Sequence, residues 1–288
     1  MPKVVSSRRA RVAKPKLGQH FLADHAAAIR IVEALGNLSQ DTVLEIGPGR
    51  GAITSLLAPR ARRVIAIELD RVLAAQLRMK YSLVPNVEII EGDILAIDLH
   101  TLFGPKPGTS RPGLAQTPDT VRVVGNLPYY ITSETLLRLF EFRKYFSTMV
   151  VMVQREVADR LAASPGRSDY GLLSATAQLY AKVEKLFTLP PGAFNPPPKV
   201  QSTVVRLTIS PRLEKLDVGE NGFIDFLKLS FGQKRKTLWN NLKLGYEPDL
   251  LRAALNKAGI KPTDRAEALS LEKSAALYRA LHTKAAGN

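Results

Sequence analysis

The 288-residue chain is 45% hydrophobic and 23% charged, enough apolar material for one large domain, or one of about 200 residues plus a small one. It lacks an apolar run of the roughly 18 residues that a membrane span requires, and its N-terminus lacks the apolar centre of a secretory leader. The absence of cysteine excludes disulfides, thiolate metal sites and a thiol nucleophile, and with the last the thiol-dependent methylation of cytosine C5.

A net charge of +15 points instead to a polyanionic partner, nucleic acid or an anionic membrane surface. The expectation is a cytoplasmic enzyme or binding protein. Residues 1–16 form a basic tail carrying Lys3, Arg8, Arg9, Arg11, Lys14 and Lys16, and no acid precedes Asp24. The tail reads as disordered, with phosphate contacts open to it. Gly18-Gln19-His20-Phe21-Leu22 then leads into a helix expected from Asp24 to Leu35.

Thr42–Ile46 reads as a buried strand, followed by Gly47-Pro48-Gly49-Arg50-Gly51 and a helix through Leu57. Glycines let the backbone turn sharply and approach a ligand closely. The spacing is not that of a dinucleotide site, and no lysine follows as in a triphosphate-binding loop. A second strand, Val64–Ile67, ends in Glu68, a carboxylate suited to the two hydroxyls of a ribose. A third, Val87–Ile90, runs into Glu91-Gly92-Asp93-Ile94, where Asp93 suits an adenine amino group and Ile94 its ring. Each acid alone reads equally as a solvated turn residue. In this order, at three successive strand ends, they read as a nucleoside pocket.

Residues 103–120, rich in proline and glycine, read as a surface loop. The fourth strand, Val121–Gly125, delivers Asn126-Leu127-Pro128-Tyr129 to its C-terminal mouth, where open α/β sheets bind ligands. This tetrapeptide suits attack by the exocyclic amino group of a nucleobase. The Asn126 carbonyl and a backbone carbonyl held by Pro128 would accept its two hydrogens. Tyr129 would stack on a base that has left its helix or loop. The plain alternative is an Asn-x-Pro turn at a strand end.

A helix is expected over Ser133–Phe140, a strand over Thr148–Val153, helices through Leu161 and over Leu172–Ala181, and a last strand, Thr203–Ile209, closing the sheet. Three prolines stiffen Phe194-Asn195-Pro196-Pro197-Pro198-Lys199-Val200. After Ser210-Pro211 only amphipathic helices are expected: Phe223–Phe231, Arg235–Leu242, Pro248–Ala258 and Leu271–Leu281. Lys228, Lys234, Arg235, Lys236 and Lys243 lie there without an acid between Phe226 and Tyr246. They read as a solvated face or as a surface for RNA. No metal-ligand cluster is expected.

These motifs together resemble the ribosomal RNA adenine N6,N6-dimethyltransferases from Gly18 to about Leu281. The resemblance rests on Gly18–Leu22, Glu45–Gly49, Glu68, Gly92-Asp93 and Asn126–Tyr129, and further on Phe194–Val200, Gln233–Leu238 and Arg265–Ser270. It implies an α/β protein with a Rossmann-like S-adenosylmethionine-dependent methyltransferase sheet in residues 1–210 and a small all-helical RNA-binding domain in 211–288. The cofactor implied is S-adenosylmethionine, held by His20, Leu22, Gly47, Glu68, Asp93 and Asn126. His20 stands where the family often has Asn, keeping a donor and an acceptor.

By the same resemblance Asn126, Pro128, Tyr129 and Phe194 are catalytic, with Phe194 facing Tyr129 across the flipped base. The alternative is an ordinary core Phe beside a proline loop. The implied reaction is dimethylation of two adjacent adenines in a hairpin near the 3′ end of 16S rRNA. The implied partner is a pre-assembled small subunit, bound by a monomer away from any membrane. A large-subunit adenine methylase of the antibiotic-resistance type, a DNA adenine methylase and a non-catalytic assembly factor on the same scaffold are the competing readings.

Overall fold

The computed structural model describes residues 19–104 and 121–282. Gly18, the basic tail and most of the 103–120 loop lie outside them. In chain order the elements are β1 (Phe21–Leu22), α1 (His25–Glu33), β2 (Thr42–Ile46), α2 (Thr54–Leu57), β3 (Arg63–Glu68), α3 (Arg71–Lys80), β4 (Val87–Glu91) and α4 (Leu99–Phe103). Next come β5 (Val121–Asn126), α5 (Thr132–Glu141), β6 (Phe146–Gln154), α6 (Arg155–Leu161), α7 (Leu172–Tyr180), β7 (Ala181–Leu189), β8 (Phe194–Asn195) and β9 (Ser202–Ile209). Helices α8 (Leu213–Leu216), α9 (Glu220–Ser230), α10 (Leu238–Leu242), α11 (Pro248–Lys257) and α12 (Leu271–His282) complete the described chain.

The main sheet has the order β4-β3-β2-β5-β6-β9-β7. From β4 to β6 every pairing is parallel, and β9 runs antiparallel to both neighbours. Parallel strands are covered on both faces, so they read as unbroken apolar runs. Here successive residues divide between two apolar clusters, Leu44, Ile65 and Val123 on one side and Val43, Val64 and Val124 on the other. Because β5 returns to pair with β2 after β4, the order reverses between β2 and β5. That reversal opens a crevice at the C-terminal strand ends. The chain is an α/β protein built on a doubly wound, mostly parallel sheet.

The structure corrects two expectations about elements and adds one pairing. Thr203–Ile209 does not close the sheet. Strand β9 is inserted between β6 and an unforeseen edge strand, β7, whose register shifts between Lys185 and Phe187. The helix expected from Arg235 starts at Leu238, because Thr237 caps it by accepting from the Asn240 N–H. Lys234, Arg235 and Lys236 therefore sit exposed on the preceding turn. Finally, β1 and β8 pair as a two-stranded ribbon, Leu22 opposite Phe194.

The helices after Ile209 pack against the helical layer that covers the sheet, chiefly through α9 on α7. Phe223, Phe226 and Leu227 of α9 belong to the same apolar cluster as Phe140, Tyr170 and Tyr180. Glu220 accepts from Arg143 at 2.5 Å and from the Tyr180 hydroxyl at 3.1 Å, and the Gly166 N–H donates to the Glu267 carbonyl.

Candidate active site

Four strand ends and the segment before α1 converge on one pocket. Gly47 and Gly49 reach it from β2, Glu68 and Leu69 from β3, Asp93 and Ile94 from β4, and Asn126 through Tyr129 from β5. Gln19, His20 and Phe21 close it from the N-terminal side. The glycine loop is built for close approach. Gly49 has φ +58°, and a Cβ there would lie 2.8 Å from the Phe21 ring. Both the left-handed backbone and the packing of Phe21 thus require glycine.

Glu68 fixes that loop. It is 3% exposed, and its carboxylate oxygens accept the Gly49 and Asp70 N–H groups, each at 2.9 Å. Burial raises its pKa above the usual carboxylate value, against the opposing pull of those backbone donors. Each carboxylate oxygen has two lone pairs, so the group can hold the loop and still accept from a ligand hydroxyl. Asp93 Oδ1 accepts the Leu95 N–H at 2.9 Å and so turns within its own loop toward the pocket wall.

Asn126 Nδ2 donates to the His20 carbonyl at 2.8 Å. One end of the amide is thereby committed, which orients the carbonyl end. The carbonyl of Pro128 is committed too. It accepts from the Ile131 N–H at 3.2 Å and from Thr132 Oγ1 at 3.0 Å, fixing a tight helical turn over Tyr129–Ile131. The backbone carbonyl that the Pro128 ring follows is that of Leu127. Tyr129 is half-buried, its hydroxyl 2.7 Å from Ser202 Oγ and its ring stacked on His20 at 5.7 Å and 28°. His20 Nδ1 in turn donates to the Pro196 carbonyl at 2.8 Å, tying the base of the proline loop to the pocket.

Two expected site residues are not brought to the pocket. Leu22 turns its side chain away, into the apolar cluster that holds α1, while its neighbour Phe21 lines the pocket. Successive side chains of an extended strand point to opposite sides, so only one side chain of the pair faces the pocket. Phe194 is 3% exposed and lies in that same cluster with Leu189 and Val204. Its pairing with Leu22 in the β1–β8 ribbon goes with this inward placement of the ring.

One buried carboxyl, part of the Glu45–Gly49 motif, was not among the expected site residues. Glu45, 1% exposed, sits beneath the glycine loop and accepts from Thr54 Oγ1 at 2.7 Å. Burial pushes its pKa up to about 7, with the nearby Glu68 charge adding to the rise. An acid inside an otherwise apolar strand, Thr42-Val43-Leu44-Glu45-Ile46, is the signal that could have found it. Among the described residues no group of three or more His, Asp or Glu could hold a metal ion, and no helix is long and apolar enough to cross a membrane.

A family model described as "Ribosomal RNA adenine dimethylase" matches residues 10–283. A protein of Koribacter versatilis named "Ribosomal RNA small subunit methyltransferase A" is 58% identical over 282 residues, covering 98% of this chain and 99% of that one. The protein of the same name from Acidobacterium capsulatum is 56% identical, covering 94% and 92%. Among solved structures, a dimethyladenosine transferase from Plasmodium falciparum superposes with a TM-score of 0.72 at 26% identity over 90% of this chain and 96% of that one. A 23S rRNA methyltransferase, ErmE, gives 0.64 at 27% identity over 91% and 99%.

Proposed function

Because the chain belongs to the ribosomal RNA adenine dimethylase family, we propose that it dimethylates N6 of two adjacent adenines in a hairpin near the 3′ end of 16S rRNA. The enzyme is an S-adenosylmethionine-dependent rRNA adenine dimethyltransferase, and it acts in small-subunit biogenesis. In this reading it works in the cytoplasm as a monomer on a pre-assembled subunit. The observation that carries the reading is the Asn126 amide, committed to His20 at one end and sharing one pocket with the Gly47–Gly49 loop, Glu68 and Asp93.

The residues present fit S-adenosylmethionine. Glu68 suits the ribose hydroxyls, Asp93 the adenine amino group, Ile94 its ring, and the glycine loop lets the backbone come close. The cofactor supplies a methyl group on a sulfonium, ready for transfer to a nitrogen. The chain's task is to make that nitrogen nucleophilic and to aim it. An adenine N6 is a weak nucleophile because its lone pair is delocalised into the ring. Asn126 Oδ1 and the Leu127 carbonyl would accept its two hydrogens and draw it toward a tetrahedral shape, while Tyr129 stacks on the extruded base. Holding nitrogen and methyl in line provides the rest. The methylated nitrogen is a strong acid and gives its proton to water. Before the second transfer a single hydrogen remains, so one of the two acceptors stays unfilled.

The pocket's fold is shared with ErmE, a large-subunit enzyme, but the relatives that match end to end at 56–58% identity are small-subunit enzymes. Transfer from labelled S-adenosylmethionine into isolated small subunits, large subunits and DNA tests the choice. Label should enter small subunits alone, and Asn126→Ala should leave less than about a tenth of the rate, a barrier increase above ~1.4 kcal/mol. Label in large subunits, or an active Asn126→Ala, would contradict the reading.

A further inference from the structure

The rim of the pocket carries an aromatic ring that the chemistry so far leaves unused. Tyr130 follows Tyr129 on the same helical turn and lines the same pocket, yet it is 59% exposed. The turn that presents it is fixed by the two hydrogen bonds to the Pro128 carbonyl. The two rings differ sharply. Tyr129 is tied by its hydroxyl to Ser202 and covered on one side by His20. Tyr130 has no ring or hydrogen-bond partner among the described residues. Of the large hydrophobic side chains exposed there, only Leu69 and Tyr130 line this pocket.

An exposed aromatic on a rigid turn at the mouth of a base-handling pocket is a surface awaiting a partner. When one base of a pair enters the pocket, its neighbour loses a stacking partner, and that loss opposes extrusion. We propose that Tyr130 is the stacking platform for the nucleotide adjacent to the extruded adenine. The inference rests on the functional reading above and deepens it. Tyr130 would replace the stack that extrusion breaks and so act as a positioning residue for the pair of target bases. Its open face favours stacking over hydrogen-bond readout, so it accepts any base on that side.

The test is methylation of small subunits by the parent, Tyr130→Ala, Tyr130→Leu and Tyr130→Phe. Calorimetric titration of free S-adenosylmethionine runs alongside. Because the ring is exposed, all three variants should fold. Loss of one base–aromatic stack should lower kcat/KM by roughly five- to a hundredfold in Tyr130→Ala and Tyr130→Leu, with cofactor affinity unchanged. Tyr130→Phe should keep the parent rate. In subunits reconstituted with rRNA lacking the neighbouring base, parent and Tyr130→Ala should be equally slow.

Parent-like rates in Tyr130→Ala would overturn the proposal. So would weakened cofactor binding of the same factor, which would make the ring a wall of the cofactor site. A defect that persists undiminished without the neighbouring base would overturn it as well. If the parent itself places no label in small subunits, the functional reading fails first and this inference falls with it.

Discussion

Replacing Glu45 with Gln should remove a pH dependence of stability that the parent chain carries. The carboxyl is buried and accepts from both the hydroxyl and the backbone N–H of Thr54. It titrates at about 7 in the folded chain and at its ordinary 4.5 once unfolded. Between those values the folded chain retains a proton that the unfolded chain has released. Raising the pH through the window therefore favours unfolding, the reverse of the behaviour of a salt-bridged carboxylate. At about 1.4 kcal/mol per pH unit, crossing from 4.5 to 7 removes about 3 kcal/mol. That is a large share of a stability margin of roughly 5–15 kcal/mol.

Glutamine has the same shape, keeps an acceptor for Thr54 and cannot ionise. In urea denaturation, Glu45→Gln should match the parent near pH 5 and exceed it near pH 8, by up to about 3 kcal/mol. Groups that do not interact with Glu45 cancel in the difference between the two proteins. A parent–variant difference that stays flat from pH 5 to pH 8 would refute the reasoning.

Glu68→Ala should weaken S-adenosylmethionine binding by about 1.5–3 kcal/mol in calorimetry, since it removes both a ligand acceptor and the anchor of the Gly49 N–H; unchanged affinity would end that assignment. Phe194→Ala should cost about 3–5 kcal/mol in denaturant unfolding, as for a core aromatic, and leave cofactor affinity intact. A variant as stable as the parent but slow in methylation would instead return the ring to the base. Replacing Lys234, Arg235, Lys236 and Lys243 with Ala should lower small-subunit affinity and reduce the slope of log K against log salt by roughly 2–3, at about 0.7–0.9 per phosphate contact. An unchanged slope would make them a solvated face.

Much of the architecture was legible because parallel strands leave an unmistakable trace. The run Thr42–Ile46 could be read as a strand with its glycine loop because both faces are buried and nothing polar interrupts it except Glu45. Strand β7 was not legible. As an edge strand it mixes Lys182, Glu184 and Lys185 with apolar residues, and the shift at Lys185/Phe187 breaks the alternation that would reveal it. The ribbon of β1 and β8 is two residues long, too short for any period, so nothing in the sequence could choose between Phe21 and Leu22 as the residue facing the pocket.

The same ribbon holds Phe194, whose ring lies inward. The polar residues Glu68, Asp93 and Asn126 were easier, because they lie at or just beyond the C-terminal ends of parallel strands, where the crevice opens. Thr237 misled for a different reason. A basic run continuing into Leu238-Trp239 looks like one helix until the capping hydroxyl is given its weight.

The unbroken core beneath α9 gives the molecule the character of a ruler. Tyr170 meets Phe231 edge-on at 6.0 Å, and Glu220 clasps both Arg143 and Tyr180. The exposed basic turn at Lys234–Lys236 is therefore held at a set span from Asn126 by side-chain packing rather than by a tether. If that turn grips an RNA backbone, as proposed above, the span itself would select which nucleotides lie over the pocket, much as a jig places a drill. Exchanging the helical segment with a relative's would shift the mark only if the facing helical layer were recut to match.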